Sequence, residues 1–320
     1  MNTNQPWGKG NRRVLVHGTP FFGRLFAECM GGEGWSFRYH ADSGAKNLAG
    51  MLMDLQTCDI VYQICGRATM GKFLRAAKLL RKKRLVVHWI GSDVLEAQQA
   101  GGSEPWLVRQ AVHWAETPWV ADEVKALGMS CEMMALPGAR LAIAPTPLAP
   151  EFSVLIYIPG TQLCTYYGEA RRVSDFYGLG TMLEVARGLP QIRFDMVGVD
   201  AGSIGDKPAN LRVHGRVPDM TKYYEQATVL WRPVAHDGLS FMVLEALAHG
   251  RHVIWSYAFP GCRQATNPDE ARRHILELHR LHEKGELQAN VEGVRVIDES
   301  YRAERLKTQI IGRLAEMMES

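Results

Sequence analysis

Two carboxylates, Asp237 and Glu245, stand eight residues apart in the stretch AHDGLSFMVLEALAHG (235–250), with a glycine, a serine and an apolar run between them. The run has the composition of a short buried helix, opened by Ser240, a good N-cap residue type, and closed by Gly250. Capping would explain the serine and the glycine. It does not explain Glu245, which lies within an apolar helix and must reach solvent or meet donors, because burying a carboxylate unpaired is costly. TVLWRPV (228–234) reads as a strand, so the turn through Ala235, His236, Asp237 and Gly238 follows a strand's carboxyl end. Open parallel sheets bind ligands there, and free amides at a helix start attract phosphate. Gly238 would let another group approach the backbone closely.

Other residues could serve the same chemistry. VVHWIGSDV (86–94) puts His88 at the end of a buried strand and Asp93 in the loop beyond it. A histidine titrates near neutral pH and could orient or deprotonate a hydroxyl; a local hydrogen bond for His88 and a helix cap from Asp93 are the competing readings. In HGTPFFGRLF (17–26), Gly23 lies in a strand-to-helix turn where a diphosphate could approach, although the G-x-G-x-x-G fingerprint is absent. Arg171 and Arg172 could pair bidentately with phosphate. His274, His279 and His282 share a helix without the spacing of a zinc motif.

These residues need elements to hold them. Short apolar runs (RRVLVHG, CDIVYQIC, RLVVHWIG) alternate with amphipathic segments up to about residue 136, and the alternation restarts at SVLIYIP (153–159). This pattern predicts parallel sheets covered by helices on both faces. Between the halves lies LPGARLAIAPTPLAPEF (136–152), whose four prolines break regular structure and make a linker. The expected organisation is an α/β domain over 1–145, a second over 146–298, and a final amphipathic helix over 299–320.

The chain has 320 residues, 46% hydrophobic and 22% charged, with a net charge of +3, which suits a globular protein of two domains and argues against nucleic acid as partner. Six scattered cysteines without a C-x-x-C pair read as free thiols of a reducing compartment. Residues 1–12 lack the apolar core of a signal peptide, and no apolar run approaches a membrane span. A cytoplasmic location is expected. KFLRAAKLLRKKR (72–84) is a basic amphipathic helix that could touch an anionic membrane at the inner face, or simply carry cations at its C-terminal end.

DGLSFMVLEALAHGRHVI (237–254) resembles the nucleotide-sugar site of GT-B glycosyltransferases, particularly retaining glycosyltransferase family 4. The family pattern is an acidic residue, seven residues, then Glu, followed by an A-x-A-x-G-x-P-V-like segment; here Asp237 stands where Glu is usual. The resemblance extends more loosely over two α/β halves, the proline-rich junction and the last helix. It implies two Rossmann-like domains facing a cleft, with the C-terminal helix packing back on the first. It also implies transfer of a sugar from a nucleotide-diphosphate sugar to a hydroxyl acceptor, with retention of configuration and no metal. The acceptor would be a glycan, a lipid-linked compound or a small molecule. Glu245 would accept from the ribose hydroxyls and Asp237 would face the transferred sugar. Gly238, Leu239 and Ser240 would offer amides to the sugar or diphosphate, and His88 and Asp93 would line the acceptor side. The family's Lys–Gly pair is replaced by Tyr177 and Gly178, which leaves the phosphate clamp without its lysine. Two other classes fit the same residues: a GT-B-like partner protein without transferase activity, and a nucleotide-sugar epimerase.

Overall fold

The computed structural model describes residues 7, 10–32, 34–40, 48–66, 71–80, 84–137, 141, 143, 145–166 and 169–319. The chain forms two compact units, Met1–Gly138 with Ala303–Ser320, and Ala139–Arg302.

The first unit runs β1 (Arg12–Gly18), α1 (Pro20–Met30), β2 (Trp35–His40), α2 (Leu48–Thr57), β3 (Ile60–Ile64), α3 (Lys72–Leu79) and β4 (Leu85–Trp89). It continues with α4 (Asp93–Gln99), α5 (Pro105–Gln110), β5 (Ala111–Ala115), α6 (Pro118–Ala126) and β6 (Cys131–Met133). The strands form one parallel sheet in the order β2-β1-β3-β4-β5-β6. β3 and β4 are buried at every position, as strands covered on both faces must be. The order reverses between β1 and β3, the switch point of a doubly wound sheet.

The second unit opens with β7 (Ser153–Tyr157), the hairpin β8 (Leu163–Tyr166) and β9 (Glu169–Arg172), α7 (Val173–Phe176), α8 (Leu179–Gly188) and β10 (Arg193–Val197). Then come β11 (Leu211–Val213), α9 (Thr221–Gln226), β12 (Val229–Arg232), α10 (Phe241–Ala248), β13 (His252–Trp255), β14 (Cys262–Gln264), α11 (Pro268–Glu283) and α12 (Val291–Ser300). Its main sheet is parallel in the order β11-β10-β7-β12-β13-β14. Counted from β7, that is the Rossmann order, with its switch point between β7 and β12. Val154, Ile156, Trp231 and Ile254 pack against Met182 and Val185 of α8 and Ile275 and Leu278 of α11. The 163–172 hairpin is not among the elements expected from the sequence.

The last helix, α13 (Ala303–Glu319), belongs to the first unit. Its Ile310 and Leu314 are fully buried with Val14, Val16, Tyr62 and Trp114. The expected return of the C-terminal helix to the first domain is what the chain does. Two Rossmann-like α/β units are therefore present.

Candidate functional site

β12 carries the chain to the switch point of the second sheet and ends in Arg232. The turn that follows places Asp237 back over the strand end. Arg232 Nε donates to Asp237 Oδ2 at 2.5 Å and Nη2 to Oδ1 at 3.0 Å, a bidentate pair. Trp255, the last residue of the neighbouring β13, donates from Nε1 to the same Oδ2 at 3.2 Å. The Asp237 amide meets the Tyr257 hydroxyl at 3.2 Å. The Arg232 guanidinium also lies 5.2 Å from the centroid of the Tyr177 ring. Burial works against its charge, but Asp237 outweighs burial, and the guanidinium pKa is raised.

Gly238, Leu239 and Ser240 follow and are all buried. Ser240 takes the N-cap position of α10 with φ −70° and ψ 116°, yet its side chain caps nothing. The capping expected of Ser240 from its residue type is therefore corrected: backbone geometry starts this helix. Gly250 closes it at φ +74°, a conformation that favours glycine. One turn inside, Glu245 is half-buried, and its Oε2 accepts from the Tyr224 hydroxyl at 2.6 Å. Burial raises the Glu245 pKa and the Tyr224 bond opposes that rise. Glu245 thus meets a donor from α9. A cavity of about 230 Å³ opens at the carboxyl ends of β12, β13 and β14, walled by Pro233, Val234, Ala235 and Ser256 and by Gly178 and Thr181 of the α8 start.

In the first unit the outcome differs. His88 is fully buried, and both ring nitrogens are used: Nδ1 contacts the Tyr62 hydroxyl at 2.7 Å and Nε2 the Met134 carbonyl at 2.7 Å. A carbonyl only accepts, so Nε2 carries the proton and Nδ1 accepts from Tyr62. Burial pushes the His88 pKa down to about 3. No lone pair remains for a substrate hydroxyl, so the expectation of an acceptor-activating base at His88 is corrected. Asp93 is 3% exposed and accepts from the backbone amides of Gly66, Ile90 (3.1 Å) and Gly91 (2.8 Å). It ties the loop after β3 to the loop after β4, a structural task in place of the catalytic one expected. At Gly23 an added Cβ would stand 2.3 Å from the Tyr39 ring. That glycine serves helix-to-strand packing, which corrects the expected approach of a diphosphate there.

Arg172 is exposed and, among the described residues, donates to the Thr161 carbonyl at 3.5 Å. Arg171 lies in β9, and its side chain falls outside the described residues, as do Arg81, Lys82 and Lys83 of the basic stretch. Among the described residues no group of three or more His, Cys, Asp or Glu is placed to hold a metal ion, and no helix is long and apolar enough to cross a membrane.

Residues 178–279 match the model of a family described as Glycosyl transferases group 1. The match runs from the start of α8 into α11 and contains Arg232, Asp237 and Glu245. Among curated proteins none matches the chain. Several solved structures are similar over nearly its whole length. Sucrose-phosphate synthase from Thermosynechococcus elongatus is 12% identical with a TM-score of 0.69, covering 96% of this chain and 99% of that one. HepE from Anabaena, solved with UDP and glucose, is 11% identical with a TM-score of 0.67, covering 95% and 99%. WaaB, a lipopolysaccharide outer core galactosyltransferase, is 12% identical with a TM-score of 0.60, covering 94% and 99%. The fold is GT-B.

Within this GT-B chain the structure brings Asp237, Gly238, Leu239, Ser240 and Glu245 together at one strand end. It adds three residues that sequence reasoning missed: Arg232, Tyr224 and Trp255. Arg232 ends an apolar strand and directly precedes a proline, where a cation stands out, and that was the available signal. Tyr224 and Trp255 come from other elements, 21 and 18 residues from their partners, and carry no local signal.

Proposed function

We propose that the protein is a glycosyltransferase that moves a sugar from a nucleotide-diphosphate sugar to a hydroxyl acceptor, with retention of anomeric configuration as in glycosyltransferase family 4. One observation carries this reading: the carboxylates of Asp237 and Glu245 flank the start of α10 at the switch point of the second sheet, inside the matched segment. Two neighbours support it. HepE was solved with UDP-glucose, and TarM from S. aureus with α-GlcNAc-glycerol and UDP.

In this reading Glu245 is steadied by Tyr224 on Oε2 and offers Oε1 to the ribose. The backbone from Gly238 to Ser240 faces the sugar and diphosphate. The first unit takes the acceptor, which is a glycan, a lipid-linked compound or a small molecule. Rate comes from orienting that acceptor and from stabilising the departing diphosphate by fixed dipoles and cations, with no catalytic metal. The protein works in the cytoplasm. On α3, Leu79 is 81% exposed beside Lys78, which supports peripheral contact of residues 72–84 with an anionic membrane.

Thermal shift with UDP-, GDP- and ADP-sugars tests the donor site: one donor stabilises the protein, and Glu245→Ala removes that stabilisation. If stabilisation survives Glu245→Ala intact, the ribose is misplaced. The anomeric proton of the product, read by NMR, tests retention. A second reading, a GT-B partner protein without transferase activity, draws on the Asp237 carboxylate being engaged by Arg232 and Trp255 already. It predicts nucleotide binding without turnover of any donor.

A further inference from the structure

The donor reading leaves the diphosphate without a lysine, because Tyr177 stands at the position where the resembling family carries one. The structure supplies another cation beside that tyrosine. Arg232 packs its guanidinium on the Tyr177 ring, 5.2 Å from the centroid, and its side chain is only 10% exposed. Nε and Nη2 hold Asp237 and the guanidinium also hydrogen-bonds the Tyr177 side chain, so that Nη1 makes no bond to the Asp237 carboxylate and lies on the side away from it. We propose that Arg232 is the cation that binds the donor's diphosphate, presenting its Nη1 edge while Asp237 tethers it. This rests on the donor reading above and adds the residue that provides the positive charge.

A guanidinium buried alone would be expensive, so a cation kept ready in the ligand-free protein needs a counter-ion. Asp237 is that counter-ion, and its bidentate grip fixes the plane of the fork, which removes the ordering cost at the moment of binding. The position is also right. Arg232 ends the strand at the switch point, and the turn it holds leads straight into the first amides of α10. Asp237 then has two opposed effects: it keeps the cation in place and weakens its pull on a second anion. A purely structural ion pair would not show the second effect.

Isothermal titration of the full chain with UDP, GDP and ADP, and with the matching nucleosides, reads the diphosphate preference as a ratio of dissociation constants. At least one diphosphate binds the wild type better than its nucleoside. The double variant R232Q/D237N removes both charges, so that neither is left buried alone. It keeps the nucleoside affinity and loses the preference by about 10- to 100-fold, the worth of a charge-assisted contact. D237N alone releases the cation and increases the preference several-fold. Where the double variant fails to fold by circular dichroism, Arg232→Lys carries the test: a point charge on a flexible stem loses about tenfold. The proposal is overturned if folded R232Q/D237N, or Arg232→Lys in its place, keeps the full preference, or if D237N lowers it. If the wild type binds none of the three diphosphates, the donor reading itself falls and takes this inference with it.

Discussion

At position 93 a carboxylate is surrounded by amides and shut off from water. Burial pushes the Asp93 pKa from 3.8 up to about 7, and the bonds from Gly66, Ile90 and Gly91 only partly oppose it. The sign of the consequence follows from linkage. Between about pH 4 and pH 7 the folded protein holds a proton on Asp93 that the unfolded chain has released, so stability falls as pH rises through that window. A shift of that size corresponds to roughly 4 kcal/mol over the whole window and about 2–3 kcal/mol between pH 5 and pH 7.5. Asp93→Asn keeps the shape and an acceptor oxygen and cannot titrate. Urea midpoints at pH 5 and 7.5 should therefore fall for the wild type by more than for Asp93→Asn; equal slopes would show that Asp93 is not the titrating group. The same residue marks a limit of residue-type reasoning. His88 near the end of β4 and Asp93 just beyond it are placed as ligand-binding groups are, but beside the local amides of Ile90 and Gly91 their partners are Gly66, Tyr62 and Met134, which sequence proximity does not reveal. Asp237 and Glu245 were legible because their mutual spacing lies within one turn and one helix.

Elements were easier to read than contacts. The central strands β3, β4 and β7 are buried, mostly apolar runs bounded by polar or turn residues, and burial on both faces makes that pattern plain, whereas β6, β11 and β14 (CEM, LRV and CRQ) are partly exposed and carry no such run. The β8–β9 hairpin escaped because LCTY and EARR alternate weakly and belong to neither parallel sheet. Helix starts separate into two kinds that residue types do not distinguish. Asn267 caps α11: its Oδ1 accepts the Glu270 amide at 2.9 Å, while Glu270 Oε2 accepts the Thr266 amide at 2.7 Å. Ser240 occupies the same position on α10 without a cap bond. Asn267→Ala should thus cost about 1 kcal/mol, and Ser240→Ala less than about 0.5 kcal/mol. Denaturant unfolding of both variants checks this, and a large loss for Ser240→Ala would restore the cap expected from its residue type. A small stability change joined to weaker nucleotide binding in Ser240→Ala would assign the serine to the ligand.

At the scale of the whole molecule, the chain leaves its first unit after residue 138 and returns to it at 303. The first unit is therefore incomplete until the last 18 residues have been made. α13 completes it through a stripe of Leu306, Ile310 and Leu314 spaced four apart, the spacing that keeps one helix face inward. The residue pattern showed that stripe, and its partner came only from the family resemblance, because an amphipathic helix specifies a face and not the surface that covers it. Polar contacts finish the seam: Arg84 donates to the carbonyl of Met317, and Arg313 pairs with both oxygens of Glu132. The two kinds of contact carry very different weight. Arg313 is 41% exposed and Glu132 50%, so their pair contributes about 0–1 kcal/mol. Leu314 is fully buried, and Leu314→Ala removes transfer free energy and leaves a cavity, at about 2–5 kcal/mol. Hydrogen exchange resolves where that loss falls. In Leu314→Ala the amides of β1, β3 and β4 should exchange faster by the full amount, while those of β7, β10 and β12 keep their protection. Arg313→Ala should leave both sets unchanged. Equal acceleration in the two sheets would mean that the units unfold as one, and that the helix returning from the far end of the chain stabilises the whole molecule and not the first unit alone.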